Sequence, residues 1–265
     1  MCHSPDDWQH PLLRVFRITY YTIFDGKKIK PPFLPDKTVM ILRLMRYWMK
    51  SDRQTRKLGT DPGFPHLRGE RLCLDYVNTI GRPLGPHPKE HLRNYPDLVR
   101  WGHHVGILAD TEAKHLSLEG ARRPNEAAAA FGRALTLREA LTRIFRAVAY
   151  EATPQEADLQ RLQAEYLVSL GRARLTALGE GYGWTWAATD DVLSRPLWAV
   201  AHSAVDVLTV DDLARVKECP GADDCGWLFY DTSKNGSRRW CSMESCGSRV
   251  KMRQQYARRR ATRVG

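Results

Sequence analysis

Apolar residues recur at steps of three and four through much of the chain between residues 64 and 208, and this spacing predicts amphipathic helices. The clearest predicted helix covers residues 125–150, with core positions at Phe131, Leu135, Leu141, Ile144 and Phe145. Further helices are predicted over residues 95–108, 112–118, 154–170 and 194–208. Ser194 is the expected N-cap of the last helix, and Pro154 is expected in the first turn of the helix over 154–170.

Two shorter segments, residues 174–178 and 182–187, are predicted to be strands. They flank a Gly-Glu-Gly segment, so a β-hairpin is expected there. Residues 71–80 suit either a helix or an extended segment, and the Gly- and Pro-rich residues 81–88 predict a loop. The body of the protein is therefore predicted to be mostly helical with one small sheet.

The C-terminal end of the chain follows a different pattern. An aromatic strand is predicted over residues 227–230, a turn over 231–236 and a second strand over 238–240. Residues 247–260 contain good helix formers and no Pro, so a helix is expected to follow. The predicted fold class is α+β: a mostly helical body with a small hairpin, plus a small treble-clef-like finger made of a β-hairpin and a helix.

These patterns divide the chain into an N-terminal extension (residues 1–60), a helical domain (residues 61–214) and a C-terminal finger (residues 215–265). The extension shows neither strand alternation nor a capped helix, and its internal methionines offer later start sites. It is interpreted as poorly ordered or as no part of the native product, because disorder concentrates at termini. A short basic amphipathic helix over residues 39–49, lying on a membrane, is the alternative interpretation.

Charge is distributed unevenly along the chain, which carries a formal net charge of +11. Residues 1–60 contain 12 Lys/Arg and 5 Asp/Glu, residues 61–214 contain 17 and 20, and residues 215–265 contain 12 and 5. A basic segment joined to a mildly acidic body indicates a polyanionic partner. A solvated tail is the alternative.

Four of the six cysteines cluster near the C-terminus, with the spacing Cys-x5-Cys-x15-Cys-x4-Cys. Clustered cysteines in a reducing compartment are more often metal ligands than disulfides. Four thiolates favour zinc and close its tetrahedral coordination sphere, so one structural zinc ion is predicted. The predicted ligands are Cys219, Cys225, Cys241 and Cys246; four unrelated thiols or two disulfides are the alternative.

Positive side chains surround the predicted C-terminal helix. Its spacing places Arg249, Arg253 and Arg260 on one face, and Lys251 and Arg258 on the opposite side. Positive charge all around a helix suits contact with a curved polyanion, through phosphates rather than base edges. The candidate nucleic-acid-binding residues are Arg238, Arg239, Arg249, Lys251, Arg253, Arg258, Arg259 and Arg260.

The finger region resembles the CGNR-type zinc finger. The resemblance is carried by Cys219-Pro-Gly, by Cys225-Gly-Trp-Leu-Phe-Tyr-Asp-Thr-Ser, by Arg238-Arg-Trp-Cys-Ser-Met and by Cys246-Gly-Ser-Arg249. It implies the same four ligands. The Asn that names the motif is replaced by Ser248 here, which preserves a helix-capping side chain but alters any base contact that the Asn makes.

The segment before the finger resembles the companion ABATE domain. Leu72-Cys-Leu-Asp-Tyr-Val-Asn-Thr79 is similar to the opening of that domain, and Tyr95-Pro-Asp-Leu-Val-Arg-Trp101 to its next helix. The resemblance covers residues 64–260 and implies a transcription regulator of the bacterial stress-induced type, with the finger as its DNA-binding part. A sensor or oligomerisation role is expected for the ABATE part.

A polar group in the helical domain is a candidate ligand pocket, made of Asp75, Asn78, Thr79 and Trp101. Such polar groups are more often helix caps or satisfied buried hydrogen-bonding groups, and this alternative stays open. His103 and His104 are not expected to bind a metal together, because adjacent residues of a helix face different ways.

The function predicted from the sequence is that of a zinc-dependent, non-enzymatic, DNA-binding regulator. A small-molecule effector of the helical domain and a homodimeric state are further expectations. A protein–protein adaptor and an RNA-binding protein are the alternatives, and an enzyme with a structural zinc site is less favoured because no catalytic motif occurs. No apolar run reaches membrane-spanning length and no secretory signal opens the chain, so a cytoplasmic protein without membrane contact is expected.

Overall fold

The computed structural model describes residues 63–178, 181–186, 192–221 and 225–264. The expectations for the N-terminal extension, residues 1–60, therefore lie outside the described residues.

The elements that precede the finger are six helices and four short strands within the described residues. They are α1 (Leu72–Val77), β1 (Ile80–Gly81), β2 (Lys89–Glu90), α2 (Tyr95–His104), α3 (Asp110–Arg122), α4 (Pro124–Ala149), α5 (Glu156–Arg172), β3 (Ala173–Leu178), β4 (Gly181–Trp186) and α6 (Arg195–Thr209). The finger follows with a 3-10 turn (Leu213–Arg215), β5 (Val216–Glu218), β6 (Leu228–Tyr230), a π-helical turn (Met243–Gly247) and α7 (Ser248–Val264). Antiparallel pairs form between β1 and β2, β3 and β4, and β5 and β6.

The predicted helices form, with corrections at their ends. Helix α3 begins at Asp110 because the Glu112 carboxylate accepts a hydrogen bond from the Ala109 N–H, 2.8 Å away, and caps the helix. Helix α5 begins at Glu156, so Pro154 precedes the helix and does not lie in its first turn. Ser194 stands at the N-cap position of α6 but makes no side-chain capping bond there.

The core of the helical domain is built around α4. Leu141, Ile144 and Phe145 are fully buried as predicted, whereas Phe131 and Leu135 are only half-buried. Arg138 of the same helix is also buried, and its guanidinium binds the Thr79 hydroxyl at 3.0 Å and the Glu90 carboxylate. The fully buried aromatic pair Tyr76 and Trp101, with ring centroids 4.9 Å apart, packs into the same core.

The strand pairing of the finger differs from the prediction. Strand β6 pairs with β5, which precedes the first cysteine, in the register Val216↔Tyr230, Lys217↔Phe229 and Glu218↔Leu228. The predicted second strand over residues 238–240 does not form. These residues form a loop instead, and the Arg238 N–H donates a hydrogen bond to the Asp231 carboxylate at 2.8 Å.

The β5–β6 pair contributes its two faces to two different clusters. Leu228 and Tyr230, with Val216 opposite, belong to the core of the helical domain. Phe229 points the other way, as alternation along a strand requires, and packs with the cysteines and with Trp227 and Trp240. The finger and the helical domain thus share one hairpin. The predicted fold class, a mostly helical α+β body with a small zinc finger, is confirmed.

Candidate metal centre and nucleic-acid interface

The sulfur atoms of Cys219, Cys225, Cys241 and Cys246 all lie within 4.8 Å of one another, and all four residues are buried. The Sγ atom of Cys241 lies 3.8 Å from that of Cys225 and 3.7 Å from that of Cys246. A tetrahedron with zinc–sulfur bonds of about 2.3 Å has edges of about 3.8 Å. The cysteines are free thiols at distances far beyond a disulfide bond, so the donor set fits one zinc ion and excludes the disulfide alternative.

The first pair of ligands is positioned by a tight loop between β5 and β6. The Cys219 N–H donates to the Trp227 carbonyl at 2.8 Å, and the Gly226 N–H donates to the Cys219 carbonyl at 3.1 Å. Gly226 adopts φ +64°, and a Cβ atom there would lie 2.5 Å from Cγ of Leu84. Glycine is therefore required by both the backbone conformation and the close approach of the 81–88 loop.

The second pair of ligands, Cys241 and Cys246, precedes α7. The Ser242 hydroxyl accepts a hydrogen bond from the Ser245 N–H, and the Gly247 N–H donates to the Ser242 carbonyl at 3.0 Å. These bonds close the π-helical turn that carries Cys246. Four buried protein ligands leave no open coordination position, so the four cysteines form one structural zinc site.

Asp231 organises the loop between the two ligand pairs, although it was not among the predicted site residues. Its buried carboxylate accepts hydrogen bonds from the Ser233 N–H at 2.9 Å, from the Arg238 N–H and from the Lys217 ammonium at 2.7 Å. Burial raises the pKa of Asp231, but these hydrogen bonds together lower it well below its ordinary value. The Asp-Thr-Ser sequence is an Asx-turn signal that could have identified this residue.

Arg238, one of the predicted nucleic-acid-binding residues, is engaged within the protein. Its guanidinium pairs with Glu70 at 3.0 Å, donates to the carbonyls of Trp240 and Cys241, and lies 4.8 Å from the centroid of the Phe229 ring. These contacts favour a structural role at the second ligand pair.

The remaining predicted cations are exposed on the finger and on α7. Arg239 lies over the Trp240 ring at 5.4 Å, and the residues between Lys251 and Arg259 are exposed without interruption. The exposed cations are Arg239, Arg249, Lys251, Arg253, Arg258 and Arg259. The side chain of Arg260 lies outside the described part of the chain. Helix α7 contains no acidic residue, so its exposed surface is strongly positive.

The predicted pocket residues are used in contacts within the protein. Asn78 exchanges two hydrogen bonds with the backbone of Leu228, and the Thr79 hydroxyl donates to the Tyr76 carbonyl at 2.7 Å. The Asp75 carboxylate accepts from the Gly69 N–H at 2.7 Å, and Trp101 is buried in the core. These contacts favour the alternative of satisfied structural groups.

A different polar column lies on α6, where Ser194, Trp198 and His202 follow one another at steps of four residues. The Ser194 Oγ, Trp198 Nε1 and His202 Nε2 atoms are buried and have no hydrogen-bond partner among the described residues. The Trp186 ring packs against two residues of the column, with its centroid 6.0 Å from that of Trp198 and 5.1 Å from that of His202. Burial lowers the pKa of His202 to about 4, so this side chain is neutral at pH 7.

The fold and the site together define a class of protein: a helical domain that shares a hairpin with a four-cysteine zinc finger ending in a basic helix. The ABATE family, described as "Putative stress-induced transcription regulator", matches residues 70–211, which is more than half of the chain. The chain therefore belongs to the ABATE family. The CGNR zinc finger family matches residues 215–259, in agreement with the expected architecture.

A comparison with curated proteins finds no match to this chain. Among the described residues, no helix is long and apolar enough to cross a membrane.

Proposed function

We propose that this protein is a DNA-binding transcription regulator whose zinc finger and α7 contact the DNA backbone. The observation that carries the proposal is the exposed row of cations on a helix without acidic residues, held at the zinc site. Neutralising DNA phosphates with such side chains releases counterions, which supplies affinity independent of sequence.

Each part of the finger has a distinct role in this proposal. The zinc ion fixes the two ligand pairs and so sets the direction in which α7 leaves the protein. The cations Arg239, Arg249, Lys251 and Arg253 hold phosphates and position the helix. Zinc coordinated by four cysteines has no position for a water nucleophile, and the role proposed for the whole chain is non-enzymatic.

The helical domain is proposed to act as the sensor, through the column of Ser194, Trp198 and His202 beneath Trp186. A buried polar atom without a partner costs about 1–3 kcal/mol, so three on one face of α6 favour a bound molecule that satisfies them. An indole N–H only donates, and the surrounding rings are aromatic. The effector class that fits is a small planar molecule with hydrogen-bond acceptors.

The test of the DNA-binding proposal is the affinity of the zinc-loaded chain for a fluorescent random duplex at several salt concentrations. Steep weakening with salt is expected, and the slope counts the phosphates that are neutralised. Single-stranded RNA binding with the same affinity as the DNA duplex would favour the RNA-binding alternative. Phe229 and Tyr230 are buried in this structure and so are not available to stack on bases. Absence of binding to any nucleic acid at low salt would favour a protein–protein adaptor.

A further inference from the structure

Two arginines from different parts of the chain meet at Ser245. The Arg68 Nη1 atom donates to the Ser245 hydroxyl at 2.8 Å, and the Arg249 Nε atom donates to the Ser245 carbonyl at 3.3 Å. Arg68 precedes α1 of the helical domain, 177 positions before Ser245 in sequence, whereas Arg249 lies in the first turn of α7. The contact therefore extends the positive surface of α7 onto the helical domain.

Arg68 is not paired with Glu70, the acidic residue nearest to it in sequence. Arg68 makes no ion pair within the described part of the chain, and its guanidinium donates to the neutral Ser245 hydroxyl. Glu70, two residues away, is paired with Arg238 at 3.0 Å. The two guanidinium groups bring positive charge from both parts of the molecule to one residue, and a backbone phosphate at this position would interact with both.

The backbone at the junction adds to the preference for an anion. Ser245 lies in the π-helical turn that leads directly into α7, a helix of 17 residues. The N-terminal end of a helix carries partial positive charge from its N–H groups. This field acts on the same point as the two guanidinium groups.

We propose that the nucleic-acid surface is composite, with Arg68 of the helical domain and Arg249 of the finger together holding backbone phosphate at the junction of the two. The inference rests on the proposed DNA-binding function and adds to it a contact from outside the finger. Gly69, next to Arg68, accepts a hydrogen bond from the Tyr230 N–H at 2.9 Å and donates to Asp75. The position of Arg68 is thus fixed to both parts of the molecule, and DNA affinity depends on how they are joined.

The test uses the full zinc-loaded chain, a random DNA duplex and a series of salt concentrations. Arg68→Gln is expected to reduce the slope of log affinity against log salt by about 0.9, the share of one phosphate, and to weaken binding roughly tenfold at 50 mM salt. Arg249→Gln is expected to do the same. The double variant is expected to lose less than the sum of the two, because both side chains act on the same region of backbone.

One further variant controls for the overall charge of the protein. Arg161→Gln removes an exposed cation from α5, and it is expected to leave the slope unchanged. Zinc content and thermal melting check that each variant folds.

A folded, zinc-loaded Arg68→Gln variant with the parental salt slope would overturn the composite surface while leaving DNA binding intact. A parent chain without salt-dependent binding would instead overturn the proposed function itself. A slope reduced by Arg161→Gln as much as by Arg68→Gln would also overturn the inference, because the effect would then reflect net charge and not the junction.

Discussion

The side-chain amide of Asn78 and the backbone of Leu228 exchange two hydrogen bonds: Nδ2 donates to the Leu228 carbonyl at 2.8 Å, and Oδ1 accepts from the Leu228 N–H at 3.0 Å. The amide thus occupies the hydrogen-bonding position of a further strand beside β6. Trp227 supports the same joint by donating from Nε1 to the Ile80 carbonyl at 3.0 Å. Asn78 therefore fixes the zinc finger to the helical domain.

Replacing Asn78 with Ala is expected to lower the free energy of unfolding by about 2–4 kcal/mol, because a buried N–H and a buried carbonyl lose their partners. Urea unfolding of the zinc-loaded chain measures the change. Asn125→Ala, at an exposed position of α4, is the matched control and is expected to stay within about 0.5 kcal/mol of the parent. Equal unfolding midpoints for the two variants would contradict the joint.

Cys241→Ser is expected to abolish stoichiometric zinc binding and to expose residues 215–264 to proteases, because metal-binding energy is folding energy in a small zinc site. Metal analysis and limited proteolysis measure the two effects. Cys73→Ala is the control, since Cys73 is equally buried but lies outside the cluster. It should retain zinc even if the helical domain is less stable, and loss of zinc in this variant would argue against a four-cysteine site.

Asp231 is expected to make stability depend on pH in a defined direction. The folded state lowers the pKa of Asp231. The carboxylate therefore contributes fully to the free energy of unfolding above its unfolded-state pKa of about 4, and this contribution is lost as pH falls toward the lower pKa of the folded state. Asp231→Asn should destabilise the chain by about 2–4 kcal/mol at pH 7, because Lys217 loses its charged partner. The difference from the parent should shrink below about pH 4, and a difference independent of pH would exclude this role for the carboxylate.

Arg238 and Arg239 are adjacent in sequence but are expected to respond differently to substitution. Arg238→Gln should reduce stability, since its guanidinium binds Glu70 and the carbonyl groups of Trp240 and Cys241. Arg239→Gln should leave stability unchanged and reduce the salt slope of DNA binding by about 0.9. Thermal unfolding and duplex titration of the two variants test the distinction, and the reverse pattern would show that Arg238 is the phosphate contact.

Binding of a small planar molecule beneath Trp186 is expected to require the indole N–H of Trp198. Benzoate and benzamide are suitable probes, followed through tryptophan fluorescence. Trp198→Phe keeps an aromatic ring but removes the donor, so both probes should bind roughly tenfold more weakly. Trp240→Phe in the finger is the control. Equal affinity of parent and Trp198→Phe, or no binding of either probe, would contradict the sensor site.

Much of this architecture follows from patterns that are local in sequence. The helices are set by apolar spacing over many residues, and the zinc ligands by the spacing of Cys219, Cys225, Cys241 and Cys246. The sequence did not reveal β5 as the partner of β6, because its three residues, Val-Lys-Glu, are too few to show alternation. The Asp231 carboxylate binds the Arg238 N–H, and no strand forms over residues 238–240.

The contacts that join the finger to the helical domain could not be predicted in the same way. Asn78 and Leu228 are 150 positions apart, and Arg68 and Ser245 are 177 apart. Hydrogen bonds over such separations depend on how the helices pack around α4, and a single sequence carries no local signal for them. The polar column on α6 was missed because Trp198 and His202 read as ordinary positions of an apolar helix.

The most direct test of the proposed function compares duplex binding of the parent with that of Lys251→Gln combined with Arg253→Gln, at several salt concentrations. The pair lies on the exposed part of α7, and its loss is expected to reduce the salt slope by about 1.8 without change in zinc content. Lys114→Gln combined with Arg161→Gln removes the same two charge types from exposed positions of the helical domain and should keep the parental slope. Equal slopes for the parent and the α7 variant would contradict DNA binding through this helix.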